Sequence, residues 1–304
     1  MTADLLLLAL VDGFSYAGLL FLVALGLTMI FGVMGVLNVA HGSLYAFGGY
    51  TASSFVLFAL WFSEGQSSTL TLLVCLFAAA VVAGLVLGTV LEVGLLRRVQ
   101  DKDPVLQLLV TFAAFMIFED LLRLIWGTSP YSASELMTRL GNSEVFGIIY
   151  TNYQLLFIPV MALVAYALLQ YSLRYTRIGK QIVAVTHHAE IATAMGINAK
   201  RIRLVTFVIG AMLGALGGAL AAPTTSLVPG VGTDMIVLSF AVVATAGLGQ
   251  ITGALVSALL IGVARSIAIY TFPELEVVVP YLIMLIVLLV RPDGLFTVAK
   301  ARRI

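Results

Sequence analysis

Apolar runs of about 20 residues, separated by short polar stretches, recur from one end of the chain to the other. A helix needs about 20 such residues to cross a hydrocarbon core about 30 Å thick, at 1.5 Å per residue. The pattern predicts about nine membrane-spanning segments, near 5–34, 42–62, 69–94, 105–126, 153–173, 204–222, 233–248, 253–272 and 277–291, the seventh and ninth being short. Between them fall "SEGQSS", "RRVQDKDP", a polar stretch from Gly127 to Asn152, a basic one from Arg174 to Arg203, "PTTSLVPGVG", "GLGQITG" and "FPELE". Asp103 before Pro104 reads as a helix start, because Asp caps and Pro suits the first helical turn. "MTADLLLL" lacks a basic region ahead of its apolar run, which predicts a retained first helix rather than a signal peptide. The fold expected is all-α, a polytopic membrane helical bundle with discontinuous helices, in a single transmembrane domain over residues 1–304.

Composition removes the soluble alternative. With 61% hydrophobic and 10% charged residues and a mean hydropathy of +1.11, the chain cannot cover a water-exposed surface with charge. A net charge of +1 and the lack of any basic block interleaved with aromatics give no basis for nucleic-acid binding. Cys75 is the only cysteine, so no disulfide forms within the chain and no Cys-based metal cluster is available. The cations orient the helices, since loops rich in Lys and Arg stay on the cytoplasmic side. Arg97, Arg98 and Lys102 form one group, Arg174, Arg177, Lys180, Lys200, Arg201 and Arg203 a second, and Arg291, Lys300, Arg302 and Arg303 a third. One orientation puts all three inside, with the N-terminus outside, the C-terminus inside and Arg139 in an outer loop. The segment 174–203 is then the largest cytoplasmic feature.

The stretch "GVLNVAHGSLYAFGGY" places Asn38 and His41 in an apolar run, among Gly35, Gly42, Gly48 and Gly49. Polar groups in lipid are costly unless they satisfy freed backbone, pack in the bundle or face water. One reading is a cap on the turn between two helices. The other is a helix break whose unpaired backbone groups suit a polar solute, which makes Asn38, His41, Gly42 and Tyr45 candidates for a translocation path, with Phe47 beside Tyr45 as apolar wall. No metal site is expected, because His187 and His188 are adjacent in a cytoplasmic loop. Gly210, Gly214 and Gly218, and Gly84 with Gly88, stand at the four-residue spacing that lets helix backbones approach in lipid. Among embedded ionisable residues, Asp12, Glu92, Glu119, Asp120, Arg123 and Arg265, the spacing predicts a Glu119–Arg123 pair. Arg265 is expected to find Glu119 or Asp120, or else a solute carboxylate. His41 and Ser43 lack an acidic orienter, so no catalytic residue is assigned.

The same stretch resembles the Asn-x-Ala-His-Gly signature of the permease subunits of branched-chain (hydrophobic) amino acid ABC importers. "RYTRIGKQIVAVTHHAEIATAMGINAKRIRLVTFVIGAMLGALGGALAAP" is similar to that family's cytoplasmic loop and following helix. "GLGQITGALVSALLIG" with "RPDGLF" is similar to its closing third, and Arg265 departs from the expected acidic or neutral residue. The resemblance implies that 174–203 is a coupling loop in which Glu190, Ala192 and Gly196, as E-x-A-x-x-x-G, face an ATPase groove. It further implies a second permease subunit, related or identical, two cytoplasmic ATP-binding subunits that hold ATP and Mg, and an external solute-binding protein. The location implied is the bacterial cytoplasmic (inner) membrane. Relatives of this type carry branched-chain and other hydrophobic amino acids, amides and urea. No G-x-x-x-x-G-K-[ST] loop occurs here, so this chain holds no cofactor of its own and ATP would be bound elsewhere.

An ion-coupled secondary transporter of small polar solutes is the alternative, and it requires paired acidic residues near mid-membrane and no docking loop. A membrane enzyme ranks third, for want of a nucleophile with a base.

Overall fold

The computed structural model describes residues 3–100, 102–145 and 147–296, so Lys300, Arg302 and Arg303 lie outside the described residues. The helices are α1 (Ala3–Met34), α2 (His41–Phe62), α3 (Thr69–Leu91), the short α4 (Arg97–Val99) and α5 (Pro104–Trp126). They continue with α6 (Glu135–Arg139), α7 (Ile158–Tyr175), α8 (Arg177–Ala194), α9 (Ala199–Ala221), α10 (Val231–Ala246), α11 (Ile251–Thr271) and α12 (Val278–Val290). π-helical turns at Glu92–Leu96 and Tyr153–Phe157 join α3 to α4 and open α7. Among the described residues, seven helical stretches are long and apolar enough to cross a membrane: Leu5–Met34, His41–Phe62, Thr69–Val99, Pro104–Trp126, Tyr153–Tyr175, Ala199–Ala221 and Ile251–Thr271. The apolar α10 and α12 are shorter, at 16 and 13 residues. Asp103 caps α5 as its sequence suggests, its carboxylate accepting from the Val105 N–H at 2.8 Å ahead of Pro104. One element departs from the all-α expectation. β1 (Asn142–Val145) and β2 (Ile148–Thr151) form an antiparallel hairpin in the stretch read as a loop, closed by Gly147 at φ +81°.

α1 is the most enclosed helix, apolar all round and buried along most of its length, with α9 and α11 packed against it. At 32 residues it runs about 48 Å, well beyond a hydrocarbon core of about 30 Å. The chain then reverses at Gly35 (φ +66°) and climbs without helix to His41. His41 Nε2 lies 3.0 Å from the carbonyl of Val23. Val23 is 11 residues before Met34, so α2 begins about 16 Å above the end of α1. The bundle interior, not the turn at the end of α1, therefore holds Asn38 and His41.

A second break mirrors the first. After α9 ends, Leu227 exchanges N–H and carbonyl bonds of 2.8 and 2.9 Å with Tyr131, and α10 begins behind Gly230 at φ +99°. The start of α10 abuts the start of α2, since a Cβ on Gly42 would strike the Gly232 carbonyl and sit 2.8 Å from Ile236 Cβ. From this level α2 and α10 run to opposite ends of the bundle, α10 to the end where the Thr245 and Ala246 carbonyls accept from the Leu295 and Phe296 N–H groups at 2.9 and 3.0 Å.

The glycine spacing is used for backbone contact. A Cβ on Gly218 would strike the Tyr45 carbonyl, one on Gly48 the Ala215 backbone, and one on Gly84 the Met212 backbone. α9 is thereby pressed onto α1, α2 and α3, where only dispersion and backbone contact drive association. Replacing Gly218 by Ala is expected to destabilise the bundle by about 1–3 kcal/mol, the usual cost of overpacking. Gly94, where an added Cβ meets nothing within 4 Å, serves as the control and should tolerate Ala. Thermal unfolding of both variants in detergent checks the contrast.

Candidate functional site

Two helix N-termini meeting inside an apolar bundle leave several N–H groups without helical partners, and the surrounding residues answer some of them. Asn38 turns its amide oxygen onto the Ala40 N–H at 3.1 Å, and Thr111 of α5 lies 3.4 Å from the Val39 N–H. Glu119 of α5 accepts from the Gly230 N–H at 3.0 Å through Oε2, so a carboxylate caps the start of α10 where the helix dipole favours negative charge. His41 fills a slot that glycine creates, because a Cβ on Gly214 would lie 2.9 Å from its Nε2 and one on Gly26 3.0 Å from its Cε1. With Nε2–H donating to Val23, the other ring nitrogen has no partner.

The remaining polar atoms are unsatisfied. Asn38 Nδ2, His41 Nδ1, Ser43 Oγ and Glu119 Oε1 are buried without hydrogen-bond partners. Such groups are costly in a dry interior and suit a place where water or a polar solute passes. Asn38, His41, Gly42 and Tyr45 are all buried, and Tyr45 lies a helical turn above His41 with its carbonyl against Gly218. Phe47 faces elsewhere, edge-on to Phe118 and Trp126 with centroids 5.8 Å away in each case. Together these residues can bind and orient a polar group.

The intramembrane charges pair differently from the sequence expectation. Arg265 does not meet Glu119 or Asp120. It pairs with Glu276 of the "FPELE" turn and lies over the Tyr16 ring, 4.2 Å from its centroid. α11 packs on α1 and α5 on α2, which keeps α5 away from it. The i, i+4 pair of Glu119 with Arg123 is also absent. Glu119 points inward to Gly230, and Arg123 pairs with the exposed Asp120 at 3.6 Å. Glu92, almost fully buried, is held by Arg97 at 2.9 Å. No cluster of three or more His, Cys, Asp or Glu suited to a metal occurs among the described residues.

The basic segment 174–203 is mostly helix. α8 kinks at His188 (φ −146°, ψ 73°), and its last turns end in Gly196 at φ +86°. The Gly196 N–H donates to the Thr193 carbonyl and the Ile197 N–H to that of Ala192, both at 3.0 Å, which is a Schellman stop. Asn198 then caps α9 by accepting from the Arg201 N–H at 3.0 Å. Glu190 and Gly196 are exposed, but Ala192 is buried at 5% exposure and faces its own bundle, so it cannot face an ATPase groove. The residues that do project are Ile191 and Met195, 61% and 80% exposed. Their i, i+4 spacing was the signal in the sequence that could have found them.

Comparison with known proteins supplies the family. The model for "Branched-chain amino acid transport system / permease component" matches residues 9–288. The chain is similar to the high-affinity branched-chain amino acid transport system permease protein LivH of Salmonella typhimurium, at 28% identity covering 93% of this chain and 91% of that protein. It is similar to the corresponding permease protein BraD of Pseudomonas aeruginosa, at 28% identity over 94% of each. Among solved structures, it aligns with PsaBC from Streptococcus pneumoniae in complex with Fab at 15% identity and TM-score 0.47, covering 93% of this chain and 91% of that one.

The cap on α10 can be tested directly. Replacing Glu119 by Gln keeps an oxygen for the Gly230 N–H and should leave thermal stability close to wild type. Replacing it by Ala strands that N–H and should cost about 1–3 kcal/mol, read as a lowered melting temperature in detergent.

Proposed function

The chain belongs to the family of branched-chain amino acid transport system permease components, and from that premise we propose how it imports its solute and what it assembles with. As a multi-pass membrane subunit it forms, with a related or identical second permease, the path through which an ATP-driven importer moves branched-chain or related hydrophobic amino acids. Two cytoplasmic subunits bind ATP and Mg and perform the hydrolysis, and an external binding protein delivers the solute. The setting is the cytoplasmic membrane of a bacterium, with nine helices crossing or entering it, α10 and α12 as the short ones.

One observation carries the coupling half of this reading. A helix stopped by Gly196 presents the exposed Ile191 and Met195 on the basic side of the bundle, beside Glu190. Two large apolar side chains held in water by a short capped helix fit a hydrophobic groove on a partner, by the helix-in-groove mode. Arg201 and Lys200, at the start of α9, keep that end at the anionic membrane surface.

The transport half follows from the two breaks. ATP-driven closure of the partner subunits pulls on the Ile191–Met195 turn. The Gly196–Asn198 link passes the movement to α9, whose Gly210, Gly214 and Gly218 grip α1 and α2. The level of Asn38, His41, Gly42 and Tyr45 opens first outward and then inward, the alternating access of membrane transporters.

Replacing Gly196 by Val forces a β-branched residue to φ +86°, which it does not tolerate. The expected outcome in vesicles with the full set of subunits is amino-acid uptake lost, with ATP hydrolysis uncoupled or the ATP-binding subunits failing to co-purify. Replacing Ile191 and Met195 by Asp should release those subunits while the bundle stays folded. Wild-type uptake and assembly in both variants contradict the docking assignment and favour an ion-coupled transporter.

A further inference from the structure

A cavity of about 240 Å³ opens among α1, α11 and the segment after α9, apart from the meeting of α2 and α10. Asp12 lines it from α1 and Arg265 from α11, with Thr225 and Ser266 as polar neighbours and Leu19 and Ile269 as apolar wall. Asp12 stands 11 residues outward of Val23, so it is about 16 Å above the level at which α2 begins. Arg265 is six residues from the outer end of α11 at Thr271, about 9 Å from it. The cavity therefore occupies the outer half of the bundle, on the side from which a solute arrives.

Both charges are oriented by neighbours. The Tyr270 hydroxyl donates to Asp12 Oδ2, and Asp12 lines the cavity. Arg265 binds Glu276 through Nη2 and rests its face over Tyr16. A guanidinium carries five N–H donors, so one carboxylate and one ring face do not exhaust it. Ser266 Oγ is buried on the same wall with no partner. One acceptor anion and one donor cation thus share a space somewhat below the roughly 300–1,000 Å³ of a drug-sized pocket, which suits a smaller solute.

We propose that this cavity binds a free α-amino acid as its zwitterion, with Asp12 taking the α-ammonium, Arg265 the α-carboxylate, and Leu19 and Ile269 the side chain. The inference rests on the amino-acid importer reading and adds where within this subunit the solute first rests. A carboxylate alone selects cations and a guanidinium alone selects anions. The two in one cavity select a molecule that carries both charges, and an uncharged amide or urea gains less from them.

The test uses the full-length permease in nanodiscs and L-leucine, leucinamide and N-acetylleucine as probes, with binding followed by saturation-transfer NMR. Leucine should bind at least about tenfold more tightly than either analogue, each of which lacks one charge-assisted contact. Asp12→Asn should weaken leucine and erase the discrimination against N-acetylleucine while keeping that against leucinamide. Arg265→Gln should do the reverse. Should Arg265→Gln not assemble, Arg265→Lys, which retains a charge for Glu276, is expected to weaken leucine, and Ser266→Leu, which fills the cavity, is expected to abolish its binding. Failure of the wild-type permease to bind leucine overturns the site, and so do unchanged affinities in Asp12→Asn and Ser266→Leu. Uptake by the complete importer in vesicles separates the two claims. If the wild type moves no amino acid, the importer reading fails; if it moves leucine and Asp12→Asn moves it equally well at every concentration, only this site fails.

Discussion

Contact between helix backbones, with no side chain between them, is the constraint on which the bundle depends. α9 lies on α1 and α2 through Gly210, Gly214 and Gly218, met by Gly26 and Gly49, while Gly48 of α2 meets its Ala215 and Gly84 and Gly88 of α3 its Met212 and Ala211. In lipid there is no hydrophobic gain to pull helices together, so close approach and the dispersion it brings must do so. The same glycines open the slot that receives the His41 ring. A larger residue at Gly26 or Gly214 would push the imidazole away from the Val23 carbonyl, and the start of α2 would lose its anchor at mid-depth.

From that anchor the functional geometry follows. α2 and α10 are helices that begin inside the bundle, and their N-termini meet at Gly42 and Gly232. Each beginning exposes N–H groups that neither lipid nor a dry core can satisfy. Asn38 and Glu119 answer some of them, and Asn38 Nδ2 and Glu119 Oε1 on the same side chains stay without partners. α9 also joins this level to the exposed end of α8, because its N-cap Asn198 lies two residues after the Gly196 stop. At 23 residues it is a rod of about 35 Å. It has one end at the exposed Ile191–Met195 turn and its glycine face against the break, so the packing physically joins the two.

What could be read in the sequence was whatever depends on local pattern. Seven of the expected spans followed from apolar run length, the α5 start from Asp103 and Pro104, and the first break from glycines around Asn38 and His41. Depth was not legible. "PTTSLVPGVG" looked like an ordinary connection, and only tertiary packing against Gly42 shows that α10 starts level with α2. Pairing across the bundle was also hidden. Glu119 is spaced for Arg123, but burial of its face against Gly230 decides otherwise, and Arg265 found its carboxylate in a turn outside the spans, at Glu276. Ala192 matched a motif whose small residue was expected to face a partner, yet its helix turns that side to its own bundle and leaves Ile191 and Met195 outward. The hairpin at 142–151 escaped because two strands of four residues each carry too little alternation to stand out from loop.

The central claim is that the start of α2 lies on an alternating path, and thiol accessibility measures this most directly. Cys75 is the only cysteine, so Cys75→Ser with Ser43→Cys leaves one reporter, nearly isosteric with the native residue, between His41 and Tyr45. The complete importer in sealed vesicles would be treated with a membrane-impermeant thiol reagent from either side, with and without ATP trapped on the partner subunits. The expected result is labelling from one side in one nucleotide state and from the opposite side in the other. A residue that stays unlabelled from both sides in every state, while the same vesicles transport amino acid, would contradict the account.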